Sequence, residues 1–204
     1  MTFRKRLLDL VLSLLLLLLL WPVIIFLVII LRVAEGAPVF FVAERMKCPD
    51  VAFGLIKFRT MRPDADDRGA GVTGGNKSAR MSKLHRILRR TRADEIPQLW
   101  NVIRGDMSLV GPRPPLRVYV EAFPELYARV LRSRPGVTGL ASLRYHAHEE
   151  WLLARCETAE QTDAVYKSQC VPRKAQLDLI YQRRRTICFD LCLIWETAKK
   201  PFRR

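Results

Sequence analysis

The chain is 204 residues long, half of it hydrophobic and 27% charged, and its 35 Lys and Arg against 20 Asp and Glu leave a net charge of +15. That length suits one modest domain, and the composition excludes a plain soluble globule, a disordered chain, a secreted disulfide scaffold and a multi-span transporter. The five cysteines form no CxxC pair, so neither a disulfide framework nor a zinc ribbon is indicated, and a reducing, cytoplasmic compartment fits.

Leu10 to Leu31 is a 22-residue apolar run interrupted only by Ser13. At about 1.5 Å per residue a helix of that length reaches ~33 Å, enough to cross a hydrocarbon core of ~30 Å. Two features argue against a straight span. Trp21-Pro22 sits mid-run, where proline removes a helix hydrogen bond and clashes with the preceding turn. Both flanks are also basic, with Arg4, Lys5 and Arg6 before the run and the bulk of the positive chain after it, which favours keeping both ends in the cytoplasm. The expectation is a membrane-inserted re-entrant helix hairpin over 1–36, kinked at Trp21 and Pro22, followed by a cytoplasmic domain over 37–204. A cleaved signal peptide is disfavoured, because its apolar stretch is usually only ~7–15 residues.

Pro38 to Arg45 reads as a short strand and Phe53 to Met61 as a second, forming a hairpin turned by Cys48-Pro49-Asp50. Arg62 to Lys77 is rich in Asp and Gly, but no Gly-Lys-Ser/Thr follows its glycines, so it is read as a mobile loop and not a Walker A site. Met81 to Thr91 places Met81, Leu84, Ile87 and Leu88 on one face and Lys83, Arg86, Arg89 and Arg90 elsewhere. Such a basic amphipathic helix suits an anionic membrane surface, a domain core, or both on its two sides. Ile96, Leu99, Trp100 and Ile103 define another apolar face, with Pro97 near the helix start. Arg117 to Leu131 reads as a helix, Glu149 to Ala159 as a weaker one, and Thr186 to Lys199 sets Ile187, Leu191, Ile194 and Trp195 on one side before Lys199-Lys200. The fold class expected is α+β and mainly helical: the membrane hairpin, a small β-hairpin and amphipathic interfacial helices around one compact domain.

The chemistry concentrates between Arg89 and Pro114. Asp94-Glu95 follows a basic helix and precedes the next one. Thr91 with Asp94 three residues on matches a capping box, which is one reading of the acidic pair. The other rests on the setting: Arg89, Arg90 and Arg92 stand before it, and Gly111-Pro112-Arg113-Pro114 after it. Adjacent carboxylates amid arginines suit a magnesium–diphosphate site, with carboxylate oxygens on Mg²⁺ and guanidinium forks on phosphate oxygens. Residue types alone leave both readings open. Elsewhere, His146-Ala147-His148-Glu149-Glu150 lacks further fixed ligands for a metal, and Cys188 with Cys192 suits packing or a membrane face better than ligation. Asp106 is read as ordering the turn Arg104-Gly105-Asp106.

Several stretches follow one another in an order that covers nearly the whole chain. They are Arg4-Lys5-Arg6-Leu7-Leu8-Asp9 before the proline-broken run, Lys57-Phe58-Arg59-Thr60-Met61, Asp94-Glu95-Ile96-Pro97-Gln98-Leu99-Trp100-Asn101-Val102 and the run from Arg104 to Pro114. Arg134-Pro135-Gly136-Val137-Thr138-Gly139 and Leu177-Asp178 with Tyr181 complete the set. In these the chain resembles the bacterial sugar transferases of the small monotopic phosphoglycosyl transferase family. The resemblance implies transfer of a phosphosugar from a nucleotide diphosphate sugar, usually a uridine one, to polyprenol phosphate (undecaprenyl phosphate). The products are a polyprenol diphosphate sugar and the nucleoside monophosphate, in the first membrane step of polysaccharide or glycoprotein glycan assembly, at the cytoplasmic face of the bacterial inner membrane.

The same resemblance implies Asp94 as a nucleophile that forms an acyl-phosphate intermediate, with Glu95 beside it for metal or proton handling and Mg²⁺ on Asp94 and Glu95. It further implies Arg89 and Arg113 as phosphate clamps and Lys57, Arg59 and Asp178 as additional substrate- or phosphate-binding residues. Surface ion pairing for the basic residues and a helix cap for Asp178 are the plainer alternatives. Membrane lipids and downstream glycosyltransferases are the implied partners, and nucleic acid is not. The chain departs from the family pattern after Gly139, where Leu140-Ala141-Ser142-Leu143-Arg144-Tyr145-His146 replaces the common Trp-Ala-Gln and Asn-Gly-Arg, so the donor sugar stays open. The turn Lys47-Cys48-Pro49-Asp50 also lacks the glycines common there. A rival of another class is a membrane-anchored basic module binding anionic lipid or nucleic acid without catalysis. It accounts for the charge but not for the acidic pair, and the chain lacks the aromatic–basic interleaving that stacks single-stranded bases.

Overall fold

A computed structural model describes residues 2–61 and 82–199; the Asp- and Gly-rich stretch 62–77, Met81 and Lys200 lie outside them. The apolar run, expected as a hairpin broken at Trp21-Pro22, forms one helix, α1 (Phe3–Glu35), with Pro22 inside it. By length and composition α1 could cross a membrane. Its few polar groups fall at helical spacing: Lys5, Asp9 and Ser13 lie one turn apart and are buried. Further along, Leu12, Leu16, Leu17 and Leu20 pack on a cluster built around Val102, Met107, Val110 and Leu193. Leu27 and Leu31 then pack on Phe58 and Leu88. Both halves of α1 therefore dock on the rest of the chain, while Leu14, Leu15, Leu18, Leu19, Trp21 and Phe26 stay exposed.

Hydrogen bonds secure both ends of α1. Arg6 donates to the carbonyls of Val102 and Ile103 at 2.6 and 2.7 Å. Arg59 donates to the carbonyls of Ala37, Glu35 and Gly36 at 3.1, 3.1 and 3.3 Å, taking up acceptors that a helix C-terminus leaves open.

The expected hairpin forms from β1 (Phe40–Cys48) and β2 (Val51–Phe58), antiparallel, with Arg45 opposite Phe53 and a bulge between Met46 and Cys48. The next helix, α2 (Lys83–Thr91), begins at Ser82, whose hydroxyl accepts from the His85 N–H at 3.2 Å. Leu88 of its predicted apolar face turns to the core, while Ile87 points outward.

After the 3₁₀ turn Ala93–Glu95 comes α3 (Gln98–Arg104), which buries Gln98, Leu99, Asn101 and Val102 and leaves Trp100 56% exposed. That corrects the predicted face. Asn101 explains the rotation: its side chain accepts from the Ile56 N–H at 3.0 Å and donates to the Gly54 carbonyl at 2.7 Å, keying α3 to β2.

A second pair of strands, β3 (Ser108–Val110) and β4 (Gly136–Thr138), runs parallel and was not expected. A side chain on Gly136 would collide with the backbone of Gly111, so the absence of a Cβ allows this close approach. Between the strands, the single helix expected over 117–131 is two, α4 (Arg117–Ala122) and α5 (Pro124–Val130). Phe123 separates them at φ −135, because a residue before proline is steered out of the helical region.

The weak helix expected over 149–159 is likewise divided. After α6 (Leu140–Arg144), α7 (His146–Leu153) takes only the first part of that stretch, and α8 (Ala159–Val165) starts after Thr158, whose hydroxyl accepts from the Gln161 N–H at 3.1 Å. A π-helical turn, Tyr166–Cys170, leads into α9 (Val171–Arg184) and then α10 (Ile187–Lys199). The side of α10 with Ile187, Leu191 and Trp195 is exposed, and Asp190 with Leu193 is buried. The cause is again polar: the Asp190 carboxylate accepts from Lys5 at 2.7 Å and from the Tyr181 hydroxyl at 2.6 Å, which draws that side inward.

Candidate functional site

Arg92 adopts a left-handed conformation, φ 56, and its N–H closes α2 on the carbonyls of Arg89 and Leu88. Positive φ is unfavourable for a residue with a side chain, and such conformations gather at functional sites. The Thr91 hydroxyl donates back to the Ile87 carbonyl at 2.9 Å. It therefore finishes α2 and caps nothing after it, which removes the capping-box reading of Thr91 and Asp94. From Arg92 the chain turns directly into Ala93–Glu95, and this turn delivers Asp94 and Glu95 to the wall of a cavity of about 470 Å³.

Six cationic side chains face four anionic ones around that cavity. Arg45 and Lys57 come from the hairpin, Arg89 and Arg92 from α2 and its end, Arg113 from the segment after β3 and Lys174 from α9; Glu149 and Glu150 of α7 join the acidic pair. Asp94 is 9% exposed. Burial pushes its carboxyl up to about 6, with Glu95 adding to the rise and Lys57 and Arg89 opposing it. Burial, then the neighbouring Arg89 and Arg45, hold the Lys57 ammonium below its ordinary value.

The remaining charges are held in place by one another. Both terminal nitrogens of Arg113 donate to Glu95 Oε1 at 3.3 Å, and Arg92 lies 3.8 Å from Glu95 Oε2. Arg89 Nε donates to the Thr60 hydroxyl at 3.0 Å. Lys174 donates to Glu149 at 3.0 Å and to the Tyr166 hydroxyl at 3.1 Å. A polyanion entering this cavity meets guanidinium groups already oriented by carboxylate and hydroxyl partners.

The family model described as bacterial sugar transferase matches residues 1–204. The chain belongs to the bacterial sugar transferase family. The sugar transferase EpsL of Bacillus subtilis is 38% identical over 196 residues, which are 96% of this chain and 86% of EpsL. The UDP-glucose:undecaprenyl-phosphate glucose-1-phosphate transferase of Caulobacter vibrioides is 40% identical over 147 residues, or 69% of this chain and 54% of that one. The Escherichia coli protein of the same name is 31% identical over 201 residues, 97% of this chain and 40% of its own. This bacterial sugar transferase thus spans most of EpsL and about half or less of the two named glucose-1-phosphate transferases.

Of the residues that the sequence singles out in this sugar transferase, Asp94, Glu95, Lys57, Arg89 and Arg113 meet at the one cavity. Arg59 does not line it, since its guanidinium closes the end of α1. Asp178 lies in an adjoining cavity of about 210 Å³, and its place in the middle of α9 removes the helix-cap alternative. Trp21 and Pro22 lie on the exposed side of α1.

Arg45, Glu149 and Lys174 escape the sequence reading as site residues. Arg45 had a signal, because the hairpin register places it on the same sheet face as Lys57, by way of Ala43 and Leu55. Lys174 has none, being one charge among many on a polar helix, and Glu149 enters the sequence reading only within the discounted His146 to Glu150 metal motif.

Among the described residues no group of three or more His, Cys, Asp and Glu side chains gathers as a metal cage. Asp94 and Glu95 nonetheless present two adjacent carboxylates, a donor set that suits magnesium when substrate phosphates and water complete the shell. A carboxyl raised by burial and a like-charged neighbour is also one whose ionised form a cation would favour. His146 pairs with Glu150 at 3.5 Å, and His148 sits between the rings of Tyr145 and Trp151.

Proposed function

We propose that this bacterial sugar transferase moves a phosphosugar from a uridine diphosphate sugar to undecaprenyl phosphate, by way of a covalent Asp94 intermediate. The observation that carries the reading is a buried carboxylate, Asp94, in a cavity with six cations around it. The names of the Caulobacter and Escherichia relatives, which specify this donor and acceptor class, support it.

In the first step an Asp94 carboxylate oxygen attacks the phosphorus that carries the sugar. One O–P bond forms, the bridging P–O bond breaks, and uridine monophosphate leaves with the electron pair. In the second step a phosphate oxygen of undecaprenyl phosphate attacks the same phosphorus. The aspartyl O–P bond breaks, which restores the carboxylate and yields undecaprenyl diphosphate sugar. Capture on the protein lets a water-soluble donor and a lipid acceptor use one small cavity in turn. With a carboxyl near 6, Asp94 is mostly ionised at pH 7.

Arg113 and Arg89 hold phosphate oxygens, and Lys57 and Arg45 oppose the charge that spreads over the transferred group. Glu95 orients Arg113 through its paired hydrogen bonds. Magnesium held by Asp94 and Glu95 supplies positive charge to the diphosphate when bound. The decisive assay is release of uridine monophosphate from a panel of uridine diphosphate sugars. Release that needs undecaprenyl phosphate for multiple turnovers and stops with a chelator is expected. Membrane binding with no release from any donor would instead identify a non-catalytic anchored module.

We place the acting domain, 37–204, at the cytoplasmic face of the inner membrane and read α1 as re-entrant. The docking of both halves of α1 on one body supports this. A straight 33-residue helix is ~50 Å long, and a body following it along that length would carry its charges into hydrocarbon. The exposed Ile187, Leu191 and Trp195 of α10 and the basic side of α2 suit the interface, and glycosyltransferases acting on the product would work at the same surface. Labels at residues 2 and 204 are expected to react from the cytoplasmic side only. Reaction of residue 2 from the periplasm would establish a straight span.

A further inference from the structure

The smaller cavity shares Arg45, Arg113, Glu149 and Lys174 with the one that holds Asp94, so the two adjoin across these four side chains. Its walls differ in kind. Tyr119, Tyr127 and Tyr166 line it together with Val130, Val171 and Ala175, and Asp178 is its deepest charge, 8% exposed. Among the described residues, Asp178 Oδ1 is buried with no hydrogen-bond partner. Leaving a buried acceptor unpaired is costly, more so when it is charged, and the described residues provide no donor for it. Burial pushes this carboxyl up to about 7, with Lys174 opposing.

We propose that this second cavity seats a neutral, hydroxyl-bearing ring of the donor nucleotide sugar, with an O–H of that ring donating to Asp178 Oδ1. The inference rests on the donor class proposed above. Phosphate oxygens belong at the shared wall, on Arg113, Arg45 and Lys174. What extends from there into the smaller cavity is uncharged, since its far side offers a carboxylate and aromatic rings and no further cation. Aromatic faces suit the C–H face of a sugar ring, and the acceptor suits its hydroxyls. At about 210 Å³ the cavity is less than half the volume of the one that holds Asp94, so it suits one ring of the donor and not the whole molecule. Two parts of the donor fit this chemistry: the transferred sugar and the ribose of the nucleoside.

The test is titration calorimetry of UDP-glucose, UDP and glucose 1-phosphate against the full chain in detergent. It compares wild type, Asp178→Leu, Asp178→Asn and Ala175→Leu. Asp178→Leu is expected to weaken UDP-glucose at least tenfold, Asp178→Asn to recover most of that through its remaining oxygen, and Ala175→Leu to weaken it by filling the cavity from α9. A parallel loss for glucose 1-phosphate with UDP unchanged assigns the cavity to the transferred sugar; a parallel loss for UDP assigns it to the ribose. Because Oδ1 has no hydrogen-bond partner among the described residues, the Tm of Asp178→Leu without ligand is expected to stay level or rise. Unchanged affinity in both Leu variants, beside a wild type that binds UDP-glucose and releases uridine monophosphate, would overturn the assignment. If Asp178→Leu does not fold, Ala175→Leu decides alone. A wild type that neither binds nor turns over any uridine diphosphate sugar would refute the donor class instead.

Discussion

Asp94→Asn is expected to reduce turnover about a thousandfold or more while leaving the protein folded and more stable than wild type. The fold survives because the turn that carries Asp94 is held by backbone bonds, Glu95 N–H to the Arg92 carbonyl at 3.1 Å and Ile96 N–H to the Ala93 carbonyl at 3.3 Å. Asparagine keeps the shape and removes the attacking oxygen. The gain in stability follows from the raised carboxyl. In the unfolded chain it titrates near 3.8, in the fold near 6, so folding favours the protonated form. That favourable contribution is complete below pH 3.8 and is lost as pH rises through 6. Above pH 6 wild type therefore carries a buried charge costing on the order of 3 kcal/mol, which the variant lacks; near pH 3 the two converge. Denaturant unfolding in chelator at pH 4 and pH 8 checks the sign. Mass spectrometry checks the chemistry: donor without acceptor should add one phosphosugar to the wild-type peptide containing Asp94 and nothing to the variant. A fully active Asp94→Asn protein, or a label on another residue, would end the covalent mechanism.

Lys5→Met is expected to cost about 3–5 kcal/mol, large for a residue in the first turn of an N-terminal helix. The Lys5 ammonium sits 2.7 Å from Asp190 Oδ2 and 3.9 Å from Asp9 Oδ1, and all three side chains are at most 5% exposed. Asp9 in turn accepts from the Ser108 hydroxyl at 2.8 Å and the Leu109 N–H at 3.2 Å. Removing the cation leaves two buried carboxylates without their shared partner. Asp190→Asn in the same chain should restore part of the loss, because the amide oxygen still accepts from Tyr181 and one charge is gone. Thermal unfolding in detergent, read as a double-mutant cycle, measures the coupling. A Lys5→Met protein within 1 kcal/mol of wild type would show that α1 is held by its apolar contacts alone.

The sequence was most legible where local chemistry and tertiary outcome coincide. The β-hairpin and the helical character of the apolar run belong to this class, as does the grouping of Asp94 and Glu95 with Arg89 and Arg113; Lys57 was visible only by resemblance, and the break expected at Trp21-Pro22 does not interrupt α1. Legibility failed where one polar contact overrode an apolar pattern. Asn101 turned α3 so that Trp100 faces out, and Asp190 pulled its own side of α10 inward against three large apolar residues. Strands β3 and β4 failed for a different reason. Each is three residues long and enclosed, so neither offers an alternation to detect, and their pairing depends on glycines that read as loop signals. The division at Phe123-Pro124 was available from the proline and outweighed by the helical pattern around it. Asp178 was visible only by resemblance, and its position beside the neighbouring cavity depends on how α9 lies against α5, which no local pattern encodes.

Leu14 to Leu20 is an unbroken run of seven leucines. Such a run carries no vernier of its own, since sliding it by a turn exchanges leucine for leucine at almost no cost. Position along α1 is read instead at its two ends, by Lys5, Arg6 and Asp9 on one side and by Arg59 gripping the carbonyls of Glu35 to Ala37 on the other. With both ends keyed, the information in the tract is its length and not its order. Replacing its leucines with other apolar residues leaves the keys aligned, whereas deleting one turns everything beyond it by ~100° and swings Leu27 and Leu31 off Phe58. The leucine tract is a spacer of fixed count, set between two locks.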